Sequence, residues 1–167
     1  AFFERWPGTY VEDRLRNDWL LELGRRRDWA NFATQWPKFR MDDDREVACY
    51  GLIVKQQAGD SVREAAREAW LAQRDGDNGC AAMATMLYEA RQLENSDVWR
   101  KARVSTDINR PRAVRQALAL IGGDALARYE ELSDNPARYL ARRASTRNRN
   151  EAELTTLALI RLAATDP

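Results

Sequence analysis

The chain has 167 residues, of which 44% are apolar and six are tryptophan, too many for a disordered segment. No stretch approaches the roughly 18 consecutive apolar residues of a membrane span, and the run Leu157 to Ile160 is broken by Arg161. A formal charge of +1 argues against nucleic acid as a partner, although lysine occurs only at Lys38, Lys55 and Lys101 and the other basic residues are arginine.

The chain opens Ala-Phe-Phe-Glu-Arg-Trp, with no Met, basic n-region or apolar h-region, so no export signal is visible. Both ends lack obvious caps, which leads us to expect a segment of something longer. Thr9 and Glu12 spell a Thr-x-x-Glu capping box that predicts a helix to about Leu23. Its apolar positions Val11, Leu15, Trp19 and Leu23 are four apart, and Leu20 widens the stripe an amphipathic helix turns inward.

Asp28 caps a short helix with Trp29, Phe32, Ala33 and Trp36, and Pro37 ends it. A third runs from about Asp43 to Ala58 and stops at Gly59. Ser61 and Glu64 form a second capping box, for a helix bearing Val62, Ala65, Ala66, Ala69 and Trp70. The polar turn from Asp75 to Gly79 leads into a fifth helix, Cys80 to about Leu93. Ser96 starts a shorter one with Val98, Trp99 and Ala102.

Arg110-Pro111 opens the next, through Val114, Leu118 and Ile121 to Gly122. Helices over 124–132 and from Asn135-Pro136 to about Arg143 follow, and a last one covers about Asn150 to Ala164. About ten helices result, without convincing strand alternation. The stops at Gly24, Gly59, Asn95 and Gly123 fall about one helical hairpin apart, near tetratricopeptide length. Glycine ends a helix in the left-handed conformation, and the Asp or Ser after it starts the next. These signals predict an all-α fold, a superhelical array of short helical hairpins (a tetratricopeptide-like α-solenoid), as a single domain over 1–167.

The chain has no histidine, which removes Ser-His-Asp and Cys-His nucleophile systems and His-based zinc sites. Two cysteines cannot supply a four-ligand zinc site. Asp75-x-Asp77-x-Gly79 fails as a calcium loop because Gly79 and Cys80 stand where a ligand and a glycine are required. Asp42-Asp43-Asp44 reads as acids favoured by a helix N-terminus. No metal, no cofactor and no catalytic residue is expected.

Trp29, Trp70 and Trp99 sit at helical spacings that direct them to the core, with carbohydrate stacking as the rival reading. Cys49 lies mid-helix and Cys80 opens a helix, with one helix between them. From spacing alone they are two buried thiols or a bridge.

Several of these residues carry a family resemblance. Leu23-Gly-Arg-Arg-Arg-Asp-Trp29, Ala48-Cys-Tyr50, Glu64-Ala-Ala-Arg-Glu-Ala-Trp-Leu71 and Cys80 after an Asn-containing turn follow in characteristic order, and Leu132-Ser-Asp-Asn-Pro136 extends the match. The pattern resembles the helical superhelix preceding the catalytic domain of soluble lytic murein transglycosylases, from about Leu15 to Ala163. The resemblance implies a Cys49–Cys80 disulfide, a periplasmic location, and a catalytic domain of the same polypeptide as partner. Peptidoglycan glycan strands are the other implied partner, reached through a parent enzyme that cleaves the MurNAc–GlcNAc β-1,4 bond to a 1,6-anhydro end. The family's catalytic Glu stands in a Glu-Ser motif, and no Glu-Ser dipeptide occurs here, so the segment by itself is expected to be inactive.

A stand-alone helical-repeat adaptor binding a peptide or protein is the alternative, and it would keep free thiols in the cytosol. Five arginines, Arg138, Arg142, Arg143, Arg147 and Arg149, occur between Ala137 and Asn150 without an acidic residue. They are candidates for contact with the carboxylates of murein peptide stems.

Overall fold

The structure is a computed structural model that describes residues 2–165. It is an all-α helical array, with no strand among the described residues. The first helices are α1 (Phe2–Arg5), α2 (Tyr10–Arg25), α3 (Trp29–Gln35), α4 (Arg45–Gln57), α5 (Arg63–Ala72) and α6 (Asn78–Glu89). They are followed by α7 (Asn95–Asp107), α8 (Pro111–Ile121), α9 (Ala125–Asp134), α10 (Pro136–Arg143) and α11 (Arg149–Thr165). A 3-10 turn, Trp36–Lys38, follows α3. The chain divides into two compact units, one of residues 1–73 and 77–87, the other of 74–76 and 88–167.

Four helix ends mark a regular period. Arg27, Gly59, Arg91 and Gly123 take positive φ after α2, α4, α6 and α8, evenly spaced by about 32 residues, near the length of helix–turn–helix repeats. At Arg27 the closing bonds run from Asp28 N–H to Leu23 C=O (2.9 Å) and from Arg27 N–H to Gly24 C=O (3.0 Å). This is a Schellman closure with arginine at the left-handed position. Gly59 closes α4 in the same way, with Asp60 N–H on Lys55 C=O at 3.0 Å.

Two expected stops are therefore corrected. Gly24 lies inside α2, buried, because the ring of Tyr50 occupies the space a side chain would need. Asn95 is the first residue of α7, whose capping box is Glu94 with Asp97. The Ser61 box is also absent: buried Val62 takes the N-cap position of α5, and no side chain caps it.

In the first unit α2 packs on α3 and α4, and α4 on α5. Leu20, Phe32, Val47, Ile53, Val62, Ala66, Trp70, Met83 and Leu87 form its buried apolar interior. The expected inward stripe of α2 holds at Leu20 and Leu23, which are buried, and is reversed before them. Val11, Leu15 and Trp19 are exposed (60, 40 and 37%), whereas Glu12, Asp13, Arg16 and Asn17 are buried.

The reversal has a physical reason, because the buried polar groups find partners. Asp13 accepts the backbone N–H groups of Arg40 (3.0 Å) and Met41 (2.8 Å), and Asn17 donates to Asp44 at 3.0 Å. Arg16 is ion-paired with Glu12. That pairing and the Gly8 N–H hold the Glu12 carboxyl below its ordinary range. These bonds and the ion pair replace the apolar contacts that periodicity assigns to this part of α2, while the Arg16 Nε and Asn17 Oδ1 are buried without a hydrogen-bond partner.

In the second unit α11 packs on α7, α9 and α10, and α7 on α8. Trp99, Val114, Leu118, Tyr129, Leu132, Tyr139, Leu154 and Leu157 form one core. Pro111 starts α8 where its missing N–H costs nothing, and Asn135 caps α10 by accepting the N–H of Arg138 at 2.9 Å. The Trp99 indole N–H donates to Asn150 at 3.2 Å, tying α7 to the start of α11.

Candidate functional site

Cys49 and Cys80 are joined by a disulfide that ties α4 to α6 across a sequence separation of 31. Around it the two helices meet at close range. Gly79 presents its backbone to Glu46 and Tyr50, and a Cβ there would overlap Glu46 and crowd the Tyr50 ring. Tyr50 is nearly fully buried between Gly24 on one side and Gly79 on the other.

Glu46 braces this junction. Its Oε1 accepts the Tyr50 hydroxyl at 3.3 Å and the Gly79 N–H at 3.2 Å. Burial, then the neighbouring charge of Asp77, raises the Glu46 carboxyl above the ordinary carboxylate range. Burial and then Glu46 raise the Tyr50 hydroxyl in turn. Nothing in the sequence marks Glu46, because Gly79 and Asp77 come from more than 30 positions away. Asp77, expected in a plain turn, caps α6 by accepting the N–H of Cys80 at 2.6 Å.

The tryptophans divide. Trp70 and Trp99 are in the core, 4 and 0% exposed. Trp29 is only partly buried and lines an open cleft beside Tyr50, the ring centroids 5.9 Å apart. The expectation of a core role for Trp29 is corrected accordingly. The reason is local: Trp29 is the first residue of α3, and Phe32, one turn on, takes the interior place with no exposure.

The five candidate arginines fall on α10, on its connection to α11 (Arg147) and at the first residue of α11 (Arg149), all exposed. Arg138 and Arg142 share α10, one helical turn apart. Arg143 pairs with Glu131 at 3.0 Å. Arg138, Arg142, Arg147 and Arg149 make no ion pair among the described residues.

The connecting loop is pinned on both sides. Ser145 N–H donates to the Thr155 hydroxyl and that hydroxyl donates to Ser145 C=O, each at 3.1 Å. Asn148 accepts the Glu151 N–H at 3.0 Å at the head of α11. Arg147 in the loop and Arg149 at the head of α11 thus stand on a backbone held at both sides.

Asp44 of the acidic triplet caps α4 through the N–H groups of Glu46 (2.9 Å) and Val47 (3.1 Å), while Asp43 lies 3.7 Å from Arg14. Among the described residues no group of three or more His, Cys, Asp or Glu side chains converges as a metal site, and no helix is long and apolar enough to cross a membrane.

The architecture is that of a helical array built on paired helices and braced by one disulfide. Over 99% of its length it is similar to the structure of an inactive mutant of the lytic transglycosylase Slt from Pseudomonas aeruginosa, with a TM-score of 0.65 and 20% sequence identity. The chain spans 28% of that protein's chain, and at this identity the likeness is one of fold. No protein-family model matches the sequence, and no curated protein does.

Proposed function

We propose that this chain is a non-catalytic scaffold segment of a periplasmic peptidoglycan lytic transglycosylase, a single helical domain whose catalytic domain belongs to the same polypeptide. The observation that carries the reading is the fold likeness to lytic transglycosylase Slt, which extends over 99% of this chain and 28% of the other. The Cys49–Cys80 disulfide supports an oxidising compartment, where a cytosolic adaptor would hold free thiols. The absence of a Glu-Ser dipeptide from the sequence supports a supporting role in place of glycan cleavage.

In this reading the parent enzyme cleaves the MurNAc–GlcNAc bond, and this segment helps to hold the polymer. Arg138, Arg142, Arg147 and Arg149 supply the contact. Each is an exposed cation without an internal counter-ion among the described residues, and the planar guanidinium matches the carboxylates of murein peptide stems.

Retention on purified murein sacculi at rising salt tests the proposal. The wild-type chain is expected to bind, to be released by salt, and to release no anhydro-muropeptides. Arg142→Glu with Arg147→Glu is expected to weaken retention. Equal retention of mutant and wild type removes the arginine contact, and cleavage of sacculi by the chain alone overturns the scaffold reading.

A further inference from the structure

We infer that the open cleft lined by Arg27, Trp29 and Tyr50 is a binding site for a single carboxylate-bearing sugar unit. The inference rests on the peptidoglycan reading for the identity of the sugar, and on the cleft itself for the chemistry. The cleft has a volume of about 220 Å³ and lies wholly within the first unit, lined by Arg25, Arg27, Trp29, Tyr50 and Asn78 among others. At about 30 Å³ per water this is the displacement of roughly seven waters, the scale of one ring and too small for a glycan strand.

Its walls are fixed by three separate devices. Tyr50 is locked between Gly24 and Gly79. The disulfide joins the residue next to Tyr50 to the helix that carries Asn78. Phe32 meets both aromatic walls edge-on, 6.3 Å from Trp29 and 6.1 Å from Tyr50. A rigid wall of this kind presents an aromatic face without an ordering cost when a ligand arrives.

Arg27 supplies the second argument. Its backbone holds φ 57°, where a glycine is the least costly residue, yet the position carries an arginine, and that residue lines the cleft. It is exposed and makes no ion pair among the described residues, while Arg25 beside it pairs with Glu22 at 3.2 Å. An aromatic face, an amide side chain and an uncommitted cation together suit a ring that bears a polar substituent and a carboxylate. A neutral sugar leaves Arg27 unused, and a carboxylate without a ring leaves Trp29 unused.

Titration of the isotope-labelled chain, followed at the Trp29 indole N–H by NMR, tests this with three probes. N-acetylmuramic acid is expected to give saturable shifts, N-acetylglucosamine to bind at least tenfold more weakly, and lactate to give none that saturate. Arg27→Gly keeps the left-handed backbone at no conformational cost, so its melting temperature should not fall while N-acetylmuramic acid affinity drops at least tenfold. Trp29→Leu should abolish the shifts at the cleft residues. Equal binding of the two sugars, saturable binding of lactate, or an Arg27→Gly variant that binds as wild type overturns the inference. The probes are single units, so failure here with sacculi retention intact removes the cleft alone. Cleft binding with no retention on sacculi removes the polymer reading and leaves the cleft standing.

Discussion

Gly24 lies so close to the ring of Tyr50 that a methyl group on its Cα would overlap the ring carbons. Replacing a mid-helix glycine by alanine ordinarily stabilises a helix by about 0.5–1 kcal/mol. Here the sign reverses, because the Tyr50 ring must leave a site shared with Gly79, Phe32 and Trp29. Gly24→Ala is expected to cost about 1–3 kcal/mol, read as a lower urea midpoint with unchanged slope.

Removing the disulfide by Cys49→Ser with Cys80→Ser releases a loop of sequence separation 31 in the unfolded chain. Loop entropy places the loss at about 3–4 kcal/mol. Calorimetry of the double variant beside the oxidised and reduced wild type checks this. Identical melting of all three would rule out a stabilising bridge.

Glu46 makes stability depend on pH in a defined direction. Its folded pKa lies above its ordinary value of 4.5. The folded state therefore holds the proton more tightly, and stability is lost as pH rises from that ordinary value through the folded one. Glu46→Gln keeps an oxygen acceptor for Tyr50 and Gly79 and removes the charge. Its melting temperature should match wild type below pH 4 and exceed it at neutral pH. A difference of constant size across that range contradicts the assignment.

Asp13 and Leu15 exchange the roles that periodicity gives them. Asp13→Ala leaves the N–H groups of Arg40 and Met41 without their acceptor and is expected to cost about 1–3 kcal/mol. Leu15→Ala, on the exposed side, should stay within about 0.5 kcal/mol of wild type. Equal effects in chemical denaturation would return α2 to its expected orientation.

Several helix ends were legible in the sequence because one residue carries the signal, although the Ser61 box and the stops at Gly24 and Asn95 were not. Thr9, Asp28, Asn135, Pro111 and Gly59 each act through their own backbone or a bond three residues away, so local chemistry suffices. The face of α2 was legible at Leu20 and Leu23 but not before them. Its partners lie near residues 40 and 44, and no local pattern announces that Asp13 will meet two unpaired N–H groups there. Arg27 was hidden for a related reason. Gly24 is the obvious candidate for a left-handed stop, and only the approach of Tyr50 shows that the glycine is needed for space.

The candidate surfaces divide along the same line. The run of arginines near α10 is visible as composition, but Glu131, which occupies Arg143, comes from α9. The cleft joins residues from four helices and a turn, and among them only Trp29 raised the question of sugar in advance.

The cystine also governs how tension passes through this chain. A pull applied at both ends travels from Cys49 directly to Cys80, so the segment between them, α5 included, is bypassed and carries no load. The oxidised chain therefore extends about 100 Å less than the reduced one when drawn straight, at roughly 3.3–3.6 Å for each shielded residue. A length that a reductant switches on gives a force-extension measurement an internal ruler for the state of this one bond.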